Sequence, residues 1–254
     1  MGTSASLGPL AFISQTLNNC GPASISEVLL CWGIERSQRQ AQVVLRADGN
    51  THGMSLFGVP SYARSVGLDT LMGVAGNEAL LKALISNGFP VIVSQWVSLS
   101  DRYGHYRPIQ AYDDRRGGFI ASDPYLGPHD FMSYTEFDQT WQVTDKRFIV
   151  IYPPAKAQLL NAVLAAAGWD KTAAYRADLA KLQGELTASV QAASEPFGPG
   201  YGFHQAYGLL NVAADEFELA QPTLAQAELA KASAQGANST AVQWVAQAAR
   251  GTAQ

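Results

Sequence analysis

Cys20 stands where two kinds of sequence meet. Asn18 and Asn19 precede it, and Gly21-Pro22 and an apolar helical pattern running to Trp32 follow it. A thiol at a helix N-terminus meets free backbone N–H groups and the positive end of the helix dipole, and both favour thiolate over thiol. A nucleophilic cysteine needs that environment. Gly21 would let a substrate backbone come close, and Pro22 starts a helix without wasting a donor. Gln15, five residues upstream, carries an amide that could aim its NH₂ at the oxyanion formed when Cys20 attacks a carbonyl. The bland alternative is a cysteine buried as a small hydrophobe. Cys31, between Leu30 and Trp32, suits that role; Cys20, among Asn and Gly, does not.

A thiolate needs a base, and four histidines compete. His52 lies in a polar turn, His129 follows a Gly-Pro, and His204 belongs to a helical tail. His105 opens the strand-like segment GHYRPIQAY, which returns through Asp113-Asp114-Arg115-Arg116-Gly117-Gly118 and ends at Asp123-Pro124. In such an antiparallel hairpin the first residues of one strand and the last of the next share one edge. Asp123 is therefore expected to reach the His105 ring nitrogen that faces away from Cys20 and fix its tautomer. Asp113 and Asp114, at the opposite end, read as turn formers; a turn before proline is the plain alternative for Asp123 too.

The order Gln15, Cys20-Gly21-Pro22, Gly104-His105-Tyr106, Asp123-Pro124 resembles the peptidase C39-like family of papain-like cysteine peptidases. The segments NEALLKALISNGFPVIV and FDQTWQ, with Phe137 and Trp141, add to the likeness, which covers roughly residues 12 to 152. The resemblance implies Cys20 as nucleophile and His105 as general base and then acid. It implies Asp123 as orienter, Gln15 as oxyanion donor and the Cys20 N–H as a second donor. Two departures stand out. Bacteriocin-processing relatives are fused to membrane and ATPase domains, and this sequence carries no Walker A pattern. The strand after His105 reads Arg107-Pro108-Ile109-Gln110, more polar than the family's, and Pro108 predicts an edge strand or a bulge.

The elements that must position these residues follow from periodicity and punctuation. Helices are expected at Pro22–Trp32, Ser37–Arg46, Leu56–Val66 and Glu78–Ile85, the last capped by Asn77. Strands are expected at Val91–Trp96, Tyr106–Tyr112, Phe119–Ser122 and Phe148–Tyr152. Helices first and an antiparallel sheet afterwards is an α+β arrangement. Beyond Pro153-Pro154 the sequence turns Ala-rich and helical. Helices are expected at Ala157–Ala167, Lys171–Ala193, His204–Ala220 and Leu224–Ala234, with a fifth at Thr240–Ala249. The breaker Glu195–Gly200 splits this half. The expected organisation is a papain-like peptidase domain over 1–153 and an all-α extension over 154–254, which packs on the first domain or recruits a protein.

Composition narrows the function. The chain has 254 residues, 47% hydrophobic and 15% charged, with a net charge of −4. That composition builds a globular core and offers no basic cluster for nucleic acid. No apolar run approaches the ~20 residues of a membrane span, so a soluble protein is expected, secreted if a signal peptide has been removed. Cys20 and Cys31 on one helix would lie ~16 Å apart, too far for a disulfide. No cofactor is expected, and no metal, because Cys and His never fall into zinc-type pairs. The leading expectation is a cysteine peptidase or amide hydrolase acting on a peptide or protein through a thioester. An acyltransferase using the same thioester is one alternative. A non-catalytic peptide-binding module is the other, with Trp96, Tyr103, Tyr106 and Tyr125 as groove candidates and core packing favoured for Trp96 and Trp141.

Overall fold

The computed structural model describes residues 2–47, 53–187 and 205–251. Its centre is an antiparallel sheet of seven strands among the described residues. These are β1 (Ser4–Ser6), β2 (Asp69–Gly73), β3 (Val91–Trp96), β4 (Gly104–Asp113), β5 (Gly118–Asp123), β6 (Gly127–Ser133) and β7 (Phe148–Tyr152). Their order is β2-β7-β3-β4-β5-β6, and β1 pairs with the far end of β4.

Period-two alternation in the central strands covers both sheet faces. Ile92, Ile149 and Ile151 point to one side, where α1 (Cys20–Cys31) supplies Ile25, Val28 and Leu29. Helices α2 (Gln38–Leu45) and α3 (Val59–Ser65) close that layer with Ala41, Leu45 and Tyr62. Val91, Val93, Phe148 and Val150 point to the other side, against Leu80, Leu81 and Leu84 of α4 (Glu78–Ser86) and Phe137 and Trp141 of α5 (Tyr134–Trp141). α1 runs between the sheet and its neighbours, so every residue from Cys20 to Leu29 is buried. The stretch of helix that begins with Cys20 is thus held on all sides.

Caps form where the residue types demand them. Ser37 and Gln40 make a reciprocal capping box on α2, and the Leu80 N–H donates to Asn77 Oδ1 at the start of α4. The segment expected as one helix from Leu56 begins as a 3-10 turn, Leu56–Gly58, before α3. Three strands had no clear sequence signal: β1, β2 and β6.

β4 is not an edge strand, because β3 pairs along one side of it and β5 along the other. The bulge does occur, between Ile109 and Ala111 on the β5 side. Pro108 lies just before β5 pairing begins, where no ladder donor is required of it.

After β7 come α6 (Ala157–Ala166), α7 (Lys171–Thr187), α8 (Gln205–Glu218), α9 (Pro222–Ala234) and α10 (Ser239–Gly251). Leu160, Val163, Leu164, Trp169 and Tyr175 extend the core under the sheet, so α6 and α7 pack directly on it. Helices α8 to α10 form a further cluster that includes Phe57 of the 3-10 turn. The sequence-expected ends of the helices near 188–204, and the breaker at 195–200, lie outside the described residues. No helix among the described residues is long and apolar enough to cross a membrane.

Candidate active site

Cys20 is the first residue of α1, reached through Asn18 in a left-handed conformation (φ 58°). Asn19 does not cap the helix with its side chain. Its amide instead donates to Thr16 Oγ1 (2.6 Å) and Gln42 Oε1 (2.8 Å), and its Oδ1 accepts from Arg46 (2.8 Å). The turn before Cys20 is thereby fixed to α2, and the first-turn N–H groups stay available to the thiol. Gly21 is required for packing: a Cβ there would meet Met54 Cε at 2.8 Å and Met54 Cβ at 2.9 Å.

His105 and Asp123 meet as the hairpin argument requires. His105 Nε2 donates to Asp123 Oδ1 at 2.8 Å, and both side chains are buried. That leaves Nδ1 for the Cys20 thiol, with which the imidazole hydrogen-bonds. Burial alone would push the Cys20 thiol up. The His105 hydrogen bond and charge, with the backbone N–H groups of Tyr106 and Gly21, overcome it and hold the thiol below its ordinary value. Burial lowers His105, but hydrogen bonds and charge from Asp123 and Cys20 outweigh it and raise the imidazole to about 9. Both shifts favour the thiolate and the imidazolium over the neutral pair. Cys31 is the opposite case: contrary to expectation it is the exposed cysteine and Cys20 the buried one, yet the partial desolvation of Cys31 raises it to about 11. Both cysteines are free thiols.

Asp123 is also a turn residue. Its Oδ1 accepts from the N–H groups of Tyr125 (2.7 Å) and Leu126 (2.9 Å). Against the cost of burial, these bonds, His105 and Arg107 hold the carboxyl down at about 2. Asp113 Oδ1 likewise accepts from Arg115 and Arg116 in the opposite turn.

Two contributors were not read from the sequence as site residues. Arg107, 1% exposed, places Nε 3.0 Å from Asp123 Oδ2 and donates from Nη1 to Asp130 Oδ2 (2.9 Å) and from Nη2 to the Val97 carbonyl (2.7 Å). Continuing the β4–β5 register puts it opposite Asp123, and the polar strand noted as a departure was its signal. Glu27, on α1, accepts the Ile13 N–H at Oε1 (2.8 Å) and faces Ser122, the neighbour of Asp123. Burial raises it to about 7. Its signal was a lone acidic residue in an apolar helix.

Gln15 comes to the same place along a strap that crosses the sheet end. Leu10 N–H donates to Gln110 Oε1 (3.0 Å), Ile13 N–H to Glu27, and Gln15 N–H to the Pro124 carbonyl (2.9 Å). Gln15 is thus tied to the residue that follows Asp123, and its Oε1 is buried without a partner. Of the other histidines, His129 lies exposed on β6 against Gln110 (3.3 Å), and His52 and His204 fall outside the described residues.

Around these residues Phe12, Leu17, Tyr103, Tyr125 and Leu126 are exposed, and the Tyr125 ring stands edge-on to His105 at 6.3 Å. Tyr106 is not a groove residue: it is buried in the core beside Cys20. Trp141 is core, as expected, while half-buried Trp96 lies under Arg102 (5.0 Å). Among the described residues no group of three or more His, Cys, Asp or Glu is placed to hold a metal ion.

The sequence profile described as Peptidase_C39 like family matches residues 9–149, more than half of the chain. Solved structures similar to it include the peptidase domain of Streptococcus ComA, a bi-functional ABC transporter involved in a quorum-sensing pathway. The identity is 20%, over 57% of this chain and 98% of that one, with a TM-score of 0.45. A double glycine motif protease from an AMS/PCAT transporter, solved with its leader peptide, matches at 19% identity. It covers 60% of this chain and 99% of that one, with a TM-score of 0.43. No curated protein matches.

Proposed function

The chain belongs to the Peptidase_C39 like family, and on that premise we propose that it is a cysteine peptidase or amide hydrolase that forms an acyl-enzyme on Cys20. The observation that carries the reading is His105, whose ring joins the Cys20 thiol to the Asp123 carboxylate inside a buried site.

The Cys20 thiolate attacks the substrate carbonyl carbon. The Gln15 amide, turned so that its NH₂ faces inward, and the Cys20 N–H hold the oxyanion. His105 Nδ1–H protonates the departing amine, the C–N bond breaks, and a thioester remains. The neutral imidazole then takes a proton from water, hydroxide adds to the thioester, and the acid leaves with Cys20 restored as thiolate. Asp123 keeps Nε2 protonated throughout and so holds Nδ1 toward the sulfur. A peptide or protein substrate suits the exposed apolar and aromatic rim of Phe12, Leu17, Tyr103, Tyr125 and Leu126. Residues 1–153 are the peptidase unit in this reading, and 154–254 a helical extension seated on it.

The test is a peptide library incubated with the intact protein, read by intact mass for an acyl adduct and by product analysis for cleavage. Cleavage and a Cys20-borne adduct are expected for the native chain, and neither for Cys20→Ala. Gln15→Ala is expected to lower turnover roughly 10²–10³-fold while leaving thiol alkylation unchanged. Cleavage equal in the native chain and Cys20→Ala would refute the proposal.

A further inference from the structure

The strap that carries Gln15 has little apolar hold on the rest of the molecule. Ala11, Phe12, Ser14 and Thr16 are exposed, and Ile13 and Gln15 are only half-buried. Hydrogen bonds must therefore fix where the Gln15 amide stands. On the outer side, exposed Gln38 of α2 donates to the Ser14 carbonyl and accepts from the Thr16 N–H, both at 2.8 Å. Water competes with bonds in such a place. On the inner side the strap meets Gln110 at Leu10, the Pro124 carbonyl at Gln15 and, between them, Glu27 Oε1 at the Ile13 N–H (2.8 Å).

Glu27 is the acidic residue of α1, and it is fully buried. It follows Cys20 by two turns of helix, ~10 Å along the axis and on the same face. Ser24, between them on that face, donates its hydroxyl to the carbonyl of Tyr106, the neighbour of His105. Glu27 Oε2 is bonded by the Ser122 hydroxyl, which adjoins Asp123 on β5. Gln110 and Pro124 belong to the sheet and its turn, so the Ile13 bond is the inner tether that comes from the nucleophile's own helix. One carboxyl thus joins three pieces: the helix of Cys20, the strand of Asp123 and the strap of Gln15.

Building on the acyl-enzyme reading above, we propose that Glu27 is a positioning residue for the reaction: by holding the Ile13 N–H it fixes the Gln15 amide relative to the Cys20 sulfur. A carboxyl in an apolar helix is otherwise hard to account for. Burial raises it to about 7 against the two hydrogen bonds it receives, and a leucine would fill the same volume without that cost. What a leucine cannot do is accept the Ile13 N–H. An oxyanion donor works only when it is in place beforehand, and a shift of about 1 Å can cost on the order of 10²-fold in rate.

The test uses the intact chain and p-nitrophenyl acetate. The Cys20 thiolate bonds to the acetyl carbon, the ester C–O bond breaks, p-nitrophenolate leaves, and intact mass reads the acetyl group on Cys20. Glu27→Leu is expected to slow acetylation roughly 10–10²-fold. Alkylation of Cys20 by iodoacetamide, which forms no oxyanion, is expected to keep its native rate. Glu27→Gln still accepts from Ile13 and still meets Ser122, and is expected to recover most of the loss. Glu27→Leu added to Gln15→Ala is expected to slow acetylation no further, because both act on one donor. A merely structural Glu27 gives losses that multiply, or alkylation that falls together with acetylation; either result overturns the proposal. Acetylation absent even from the native chain overturns the acyl-enzyme reading and this proposal with it, whereas acetylation unchanged in Glu27→Leu overturns this proposal alone. Should Glu27→Leu fail to fold, amide hydrogen exchange on the native chain decides. An Ile13 amide as protected as those of Leu10 and Gln15 supports the tether, and one that exchanges like a free peptide overturns it.

Discussion

Replacing His105 by Ala separates an activated thiol from a merely buried one, and the two cysteines of this chain make the comparison internal. In the native site His105 supplies the strongest influences that lower Cys20 against the upward push of burial. Without the imidazole, burial is the largest influence left on Cys20 and pushes its thiol back up. A thiol at the ordinary value of about 9 is only about 1% thiolate at pH 7. Cys31, raised to about 11, is thiolate in roughly one molecule in 10⁴ at that pH. Iodoacetamide labelling read by peptide mass should show Cys20 reacting far ahead of Cys31 in the native chain, although Cys31 is the more exposed of the two. The native profile should climb at a pH below 9 and change again near pH 9, where the imidazolium gives up its proton. His105→Ala should erase the lower limb. Asp123→Asn should move the upper limb down, because the carboxylate is the main group raising His105. An unchanged Cys20 profile in His105→Ala would refute the ion pair.

Further outcomes follow from the groups behind the site. Arg107→Met strips one guanidinium from both Asp123 and Asp130, and breaking a buried pair in this way costs about 3–5 kcal/mol in urea unfolding. Arg107→Lys should recover only part, since one ammonium cannot span two carboxylates and the Val97 carbonyl; a loss below about 1 kcal/mol for Arg107→Met would refute the clamp. Glu27 has its folded value raised from 4.5 to about 7. Its contribution to stability is thus complete below pH 4.5 and is lost as the pH rises through about 7. Glu27→Gln should therefore gain on the native chain by up to about 3 kcal/mol as the pH is raised past 7, measured by denaturant midpoints; parallel curves would refute the assignment. Gly73→Ala drives a methyl group into the Phe148 ring and should lower stability by about 1–3 kcal/mol in a thermal melt.

The central strands were legible in the sequence because both of their faces are buried. Val91–Trp96 and Phe148–Tyr152 stand where the apolar runs place them. The strands that escaped notice lie at the margins. β2 and β6 end the sheet order, and β1 has three residues and one partner. β6 reads Gly-Pro-His-Asp-Phe-Met-Ser, half exposed, and its pairing comes from β5 rather than from alternation of its own. Long-range pairing of that kind has no local signature. The helices α6 to α10 were legible because alanine propensity acts locally, whereas the charges they bury against Arg147 could not be paired from sequence order. At the site, spacing identified Gln15, Cys20, His105 and Asp123 as candidates. What it could not provide is the way α2, through Gln42 and Arg46, holds the turn before Cys20.

Asp123 shows why two readings of one residue need not compete. A carboxylate has two oxygens and about four lone-pair sites. Oδ1 closes the turn by accepting from Tyr125 and Leu126 and accepts His105 Nε2 as well, while Oδ2 faces Arg107. A turn former is therefore a good orienter, because backbone N–H groups that cannot rotate fix the carboxylate before the imidazole meets it. The same logic explains a polar residue inside β4. A carboxylate buried this deeply needs compensating charge that does not depend on the protonation of His105, which in the proposed cycle loses and regains a proton. Arg107 supplies it permanently. An apolar residue at 107 would leave the buried Asp123 without that fixed charge, with only His105 and the Tyr125 and Leu126 N–H groups to hold its carboxylate.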